Sequence, residues 1–274
     1  MTDTNALPLF YHQPVAFDSA LHGALSFPAV PPDYLFAANA DVIPLLVSEV
    51  AHAVRHYPIV FLHGQGDQAP ILAALVGLGN GKNQFVSKQG HWRANTYIPA
   101  YVRRYPFVPM HVEGQSEPIL AIDLEAEWVK QGGDFSFVDA EGKSTERLGQ
   151  VMAFQQEYLQ QAALTESMCA ALLKADVLEP RTLNWTDENG NPMQVNGLLG
   201  VEEARLKALA TESVVALHQA DALGLAYAQL MSLSNLQFVL SGMPAGAEPD
   251  NGLEGAKVSR QRSQKGAKES SAHA

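Results

Sequence analysis

The sequence predicts an α+β domain in which a largely antiparallel, partly barrel-like sheet packs against one long helix and a set of C-terminal helices. Three observations point there. Short apolar runs between residues 59 and 124 follow one another through brief Gly- and Pro-containing turns, with no helical crossover between them, which favours antiparallel pairing. Residues 146–174 keep a helical apolar pattern with no proline. Three further helical stretches are crowded into residues 201–239.

Taken in order, residues 1–34 are rich in proline and aromatics with weak periodicity, and read as an arm packed over the core of a single domain spanning 1–240. Residues 41–56 read as the first helix. Ile43, Leu46, Val47, Val50 and Val54 share one helical face, and Pro44 suits a first turn, where its missing N–H costs nothing. Pro58 stops that helix, and 59–62 begins a strand. After a Gly-rich turn at 63–69, strands are expected at 71–78 and 84–87 around Gly79 and Gly81, then a hairpin of 108–112 with 118–124.

In the long helix Leu148, Val151, Met152, Tyr158, Leu159, Ala162, Cys169, Leu172 and Leu173 share a face. Strands at 182–185 and 193–199 flank Asp187, Glu188, Asn189 and Gly190, a strong hairpin turn. Helices follow at 201–209, 213–218 and 222–239, with Thr211 and Asp221 placed as N-caps. The last is apolar nearly all round and should be a buried central helix. Residues 241–274 are rich in Gly, Ser, Ala and Lys and contain no aromatic, so they read as a disordered tail, basic near its end.

Composition narrows function. A net charge of -11 opposes nucleic-acid binding, which needs a positive field. The single cysteine rules out an internal disulfide framework, and Cys169, on the apolar side of its helix, reads as a core thiol. The first residues lack a basic start and an apolar run, and no apolar stretch reaches the ~18–20 residues of a membrane span, so a soluble cytoplasmic protein is expected.

Several motifs fall short of known chemistries. The run from Ile59 to His63 and Gly64 looks like the strand and His-Gly turn beside an α/β-hydrolase oxyanion hole, but no Gly-x-Ser-x-Gly elbow follows. Gly64, Gly66 and Ala69 mimic a dinucleotide fingerprint without the helix it must open. Gly77, Gly79, Gly81 and Lys82 mimic a phosphate loop, but Val76 stands where its first glycine belongs and Asn83 replaces the Mg²⁺-binding hydroxyl. Glu49, His52 and His56 share a helix face, but no second Glu-x-x-His helix completes a di-metal site, so they read as a solvated face. No metal site and no cofactor is expected.

The candidate site is the segment 97–107, Tyr-Ile-Pro-Ala-Tyr-Val-Arg-Arg-Tyr-Pro-Phe. It brings together Tyr97, Tyr101, Arg103, Arg104 and Tyr105. Tyr and Arg dominate binding hot spots, so this density predicts either a recognition surface or a locked ionic corner. Asp123 and Glu125, at alternate positions closing a strand, should face the same way and suit salt bridges to Arg103 and Arg104. The alternative is an enzyme of unknown reaction on a peptide or envelope component, in which Asp123, Glu125, His91 and Arg104 converge in a pocket. A third possibility is a structural subunit whose helix at 222–239 is partly exposed in the free chain.

Three stretches carry a family resemblance: 41–62 with its Tyr-Pro-Ile-Val-Phe, 97–107, and 217–236. Between them, in order, come a strand ending at Asp123, a long helix, the run Leu178, Glu179, Pro180, and a Trp/Thr-rich hairpin entering Gly197. Over roughly residues 5–240 the chain resembles the SapC family. The resemblance implies a non-enzymatic accessory protein linked to surface-layer or other cell-envelope protein secretion or uptake. Family members are often found beside outer-membrane receptors and flavin-dependent halogenase-like proteins. The implied partner is a protein or peptide of the envelope or secretion machinery. The family supplies no catalytic residues, and Leu124, Glu125 and Ala126 replace the more acidic run common there.

Overall fold

The computed structural model describes residues 7–23, 25–28, 33–66, 68–110, 112, 114, 115, 117–131, 135–139, 141–186 and 191–240. Strand β1 (Pro14–Ala16) leads through a one-turn helix α1 (Ser19–His22) to β2 (Leu25–Phe27). A 3-10 turn (Leu35–Ala37) precedes β3 (Val42–Pro44), and another (Val47–Glu49) runs into α2 (Val50–Ala53). Then come β4 (Ile59–Leu62), β5 (Ile71–Leu75), α3 (Ala100–Arg103), β6 (Phe107–Met110), β7 (Ile119–Asp123), β8 (Lys130–Gln131) and β9 (Phe135–Ser136). The long helix α4 (Glu146–Lys174) is followed by β10 (Leu178–Thr186) and β11 (Pro192–Val201). The chain closes with α5 (Glu203–Lys207), α6 (Thr211–Gln219), α7 (Ala222–Ser232), a 3-10 turn (Leu233–Asn235) and α8 (Leu236–Leu240).

The strands form three antiparallel sheets, ordered β10-β11-β4-β5-β3, β1-β7-β6 and β8-β2-β9. The expected α+β architecture stands. Among the described residues the strands stay in open sheets and no barrel closes. The two middle strands show why. Ile59, Phe61, Leu72 and Ala74 enter the main core, while the alternate residues Val60, Ala73 and Leu75 enter a second cluster with Leu198. Period-two apolar sequence on both phases calls for cover on both faces of an open sheet.

The long helix has the expected boundaries. Thr145 caps it, its hydroxyl accepting from the Leu148 N–H at 3.3 Å. Its buried stripe is Leu148, Gln155, Tyr158, Thr165, Met168, Cys169 and Leu172, whereas Met152 and Leu173 are about half exposed. Cys169 is a core thiol, and burial pushes it up to about 12. In the β10–β11 hairpin, Asn196 and Gly197 oppose the single residue Thr182. Gly197 there has φ +80°, a bulge in which glycine escapes the Cβ penalty. Beyond the bulge Leu198, Leu199 and Val201 enter the core. The turn expected at 187–190 and the tail at 241–274 lie outside the described residues.

Four expectations need correction. Residues 41–56 are not one helix. Val42–Pro44 is an edge strand paired with β5, and only Val47–Ala53 is helical. Residues 84–87 contribute a single bridge from Val86 to Trp92 instead of a strand. Val201 closes β11 instead of starting a helix, and Thr211 is the first residue of α6, whose N-cap is Ala210. The 222–239 segment is broken into three pieces and is not buried all round. Tyr227 and Met231 are exposed, while its inward face carries Gln229, Ser232 and Asn235.

Those three polar groups satisfy sheet and turn backbone. Gln229 donates to the Ile59 carbonyl and accepts from the Val201 N–H, both at 3.1 Å. The Ser232 hydroxyl accepts from the Ile59 N–H at 2.8 Å, and Asn235 donates to the Val54 and Tyr57 carbonyls. Buried backbone groups must be paired, so this face is polar by necessity. Gly79 and Gly81, in the turn that mimics a phosphate loop, have φ of +73° and +64° and donate their N–H groups to the Asp41 carboxylate at 2.7 and 3.2 Å. A carboxylate of the chain itself therefore stands where a phosphate would sit.

Candidate functional site

Segment 97–107 lies between the N-terminal arm and α4. Pro99 is the N-cap of α3, and the first α3 residue, Ala100, donates its N–H to Glu49 at 2.6 Å. Glu49 is 3% exposed, which overturns its reading as part of a solvated face. Its carboxylate also accepts from the Leu46 N–H at 2.9 Å and the Tyr97 hydroxyl at 2.8 Å. Arg103 continues the chain of bonds, donating to the Tyr97 oxygen at 3.1 Å and to the Ile98 carbonyl at 3.1 Å. Among the described residues, no group of three or more His, Cys, Asp or Glu side chains comes together as a metal site requires.

Arg104 points the other way, into the protein, and is 6% exposed. Its guanidinium carbon lies 3.9 Å from the ring centre of Tyr101, 4.6 Å from Tyr158 and 5.7 Å from Tyr11. One ring comes from α3, one from α4 and one from the arm, so a single cation ties three segments together. Tyr11 also donates to the Phe107 carbonyl at 2.6 Å, and Tyr101 to the Leu9 carbonyl at 3.3 Å. Tyr105 is buried on a separate aromatic stack, 4.1 Å from Phe36 and nearly parallel to it, with Trp128 edge-on at 5.6 Å.

The expected salt bridges are replaced by other partners. Asp123, fully buried, accepts from the backbone N–H groups of His12 at 2.8 Å, Gln13 at 2.9 Å and Glu125 at 3.1 Å. The ion pairs among the described residues join Arg181 to Glu179 and Glu202, Arg205 to Asp176 and Glu179, and Lys207 to Glu203. None of them includes Arg103 or Arg104. The arm's amides thus take Asp123, and the rings of the segment take the arginines. Glu125 and His91 are exposed, and neither they nor Asp123 border the groove that Arg104 borders.

What remains accessible of the segment is chiefly Arg103 and part of Tyr97, and these line a groove against α4. Two adjoining pockets, or chambers, of about 350 Å³ each lie along this face of α4. The first is walled by Glu49, His52, Tyr97, Glu157, Tyr158 and Gln161; the second by Arg104, Phe107, Arg147, Gln150, Val151 and Gln155. Arg103 and Phe154 border both. The Arg103 guanidinium carbon sits 5.4 Å from the Phe154 ring centre and 5.7 Å from that of Tyr97, forming a partition between the chambers. His52 stacks on Tyr97 at 5.3 Å. Arg147 to Gln161 is a separation of 14 residues on α4, about 21 Å at 1.5 Å per residue. The groove is acidic and phenolic at one end and cationic at the other.

Sequence reasoning named Tyr97 and Arg103 but missed Glu49 as a member of the site, together with Phe154, Glu157 and Arg147. The α4 residues recur at spacings of three, four and seven, which a helix places in one strip, so their grouping was readable. Glu49 gave no such signal, because its partners lie 48 and 51 residues away in Tyr97 and Ala100.

The network predicts an alkaline limit. Burial first, then the Glu49 charge, pushes the Tyr97 phenol from 10 up to about 12, and burial also raises Tyr11, Tyr57, Tyr101, Tyr105 and Tyr158. The folded chain holds these protons more tightly than the unfolded chain does. Their contribution to stability is therefore whole below pH 10 and is lost as pH rises through the folded values. An alkaline titration should show delayed tyrosinate absorbance, then cooperative unfolding. In Glu49→Gln, Tyr97 should ionise at lower pH. Ionisation of these tyrosines beginning near pH 10 in the intact fold, measured in a Tyr227→Phe background because Tyr227 is exposed, would contradict the burial described.

Antiparallel sheets braced by a long helix and C-terminal helices define an α+β protein. A family model described as SapC matches residues 17–238, most of the chain, and the protein belongs to the SapC family. Neither a comparison with curated proteins nor one with solved structures returned a match. Among the described residues no helix is long and apolar enough to cross a membrane.

Proposed function

We propose that this protein is a non-enzymatic accessory factor that holds an extended peptide segment of an envelope or secretion partner in the groove between α3 and α4, on the cytoplasmic side. The observation that carries the reading is the polarised, two-chamber shape of the groove. A length of about 21 Å fits roughly six residues of extended chain at ~3.3 Å each. The opposite charges at its ends fix direction, and the Arg103–Phe154 partition offers an aromatic and cationic contact midway. The setting implied by the family resemblance, surface-layer or other cell-envelope protein secretion or uptake, is compatible with a partner of this kind.

The test is a hexapeptide array probed with purified protein beside Arg103→Glu and Phe154→Ala, each first shown by circular dichroism to melt within a few degrees of wild type. The expected result is a set of peptides bound by wild type and weakened about tenfold or more by either variant, as for a central anchor. Indifference of every binder to both substitutions would place recognition elsewhere. An array with no binder would remove the peptide reading.

A further inference from the structure

We propose that the arginine-lined chamber is a carboxylate subsite, seating either an acidic side chain or the C-terminal carboxylate of the bound segment; this rests on the peptide-groove reading above. Three of the seven arginines in residues 1–240 (Arg55, Arg93, Arg103, Arg104, Arg147, Arg181 and Arg205) border this one chamber, in a chain of net charge -11. Arg181 and Arg205 are matched with carboxylates, whereas among the described residues Arg103 and Arg104 meet rings, tyrosine hydroxyls and a backbone carbonyl. Among the described residues no carboxylate lies at contact range of either, and the exposed Arg103 presents its charge to the chamber.

A second feature narrows the ligand. Arg104 Nε and Gln155 Oε1 belong to residues 6% and 5% exposed that both border the chamber, and neither atom has a hydrogen-bond partner. One is a charged donor and the other an acceptor. A carboxylate carried on a peptide amide matches the pair in kind, with oxygens for a guanidinium and an N–H for Gln155, and meets these two buried atoms once their side chains shift toward the chamber. Glu49 and Glu157 in the neighbouring chamber repel a polyanion and accept a ligand that is negative at one end only.

Ligand-observed NMR at fixed ionic strength tests this with N-acetylglycine, N-acetylglycinamide and inorganic phosphate, on full-length protein. Binding of N-acetylglycine in preference to both others is expected, weakened about tenfold by Arg147→Gln and by Arg103→Gln, since a charge-assisted bond contributes about that factor. Two tetrapeptides then separate the sources: Ac-Gly-Gly-Glu-Gly-amide carries only the side-chain acid, and Ac-Gly-Gly-Ala-Gly with a free end carries only the terminal one. Equal binding of acid and amide, equal competition by phosphate, or indifference to both arginine variants overturns the subsite. Each of those outcomes leaves peptide capture on the array intact, whereas an empty array with N-acetylglycine still bound would sink the peptide groove alone.

Discussion

Arg104→Ala is expected to destabilise the fold by about 4 kcal/mol, a large fraction of a typical domain's total stability. The buried guanidinium stacks on the rings of Tyr101 and Tyr158 and reaches Tyr11. A desolvated cation–π contact is worth ~2 kcal/mol, and truncating so large a buried side chain adds roughly 2 kcal/mol for the void. Because the three rings belong to three segments, the loss should also free the arm. Tyr11 would lose its cationic neighbour, and the Tyr101 bond to the Leu9 carbonyl would loosen with it.

Urea denaturation followed by tryptophan emission reads this directly, since Trp128 packs edge-on against Tyr105 in the neighbouring aromatic stack. Arg104→Lys should fall between wild type and Ala, because an ammonium keeps the charge but not the planar stack. Arg104→Met separates packing from charge. A buried cation without a carboxylate has a desolvation cost of its own, so Met should recover about half of the loss. An Ala variant within about 1 kcal/mol of wild type would show that the cage does not hold the arm.

Most of the regular architecture was legible because local rules and tertiary needs agree there. The α4 helix has a threonine cap, an uninterrupted pattern and no proline; β4, β6 and β7 are short apolar runs, and β10 and β11 alternate apolar with polar residues on either side of a turn sequence. Residues 41–56 show the opposite. Ile43, Leu46, Val47, Val50 and Val54 have helical spacing, yet Ile43 precedes a proline, which steers it to extended backbone. Pro44 then sits on an edge strand, where a missing N–H is tolerated. The spacing alone could not decide between the two.

The candidate site was half legible for a different reason. Density of Tyr and Arg marked segment 97–107, but most of those rings turn inward to meet Tyr11, Phe36, Trp128 and Tyr158, supplied by the arm, the segment after it, the chain beyond β7 and α4. Contacts made across such distances leave no periodic trace in a sequence. The same holds for Gln229, Ser232 and Asn235, which reach partners 170 or more residues away in Ile59, Val54 and Tyr57. An apolar helix with three inward polar groups looks, residue by residue, like a buried helix.

Asp123→Ala is expected to cost about as much as loss of the tyrosine cage, again on the order of 4 kcal/mol. Asp123 is fully buried, and three backbone N–H groups would lose the carboxylate they share at once. Each of these part-buried donors left without its charged acceptor costs ~1 kcal/mol or a little more, and the three losses come together. The damage should be local before it is global. His12 and Gln13 enter β1, which pairs with β7 through Pro14 opposite Asp123, so the β1 edge of that sheet should exchange its amide protons first. Asp123→Asn keeps the shape and one carbonyl acceptor, and should lose roughly half as much. The same pair of variants bears on the alternative in which Asp123 takes part in acid–base chemistry. A catalytic carboxylate can be replaced by an amide with little loss of stability, whereas a carboxylate that holds a chain terminus to a sheet cannot. Urea midpoints for Ala and Asn equal to wild type would therefore overturn the structural role and return Asp123 to the list of candidate catalysts.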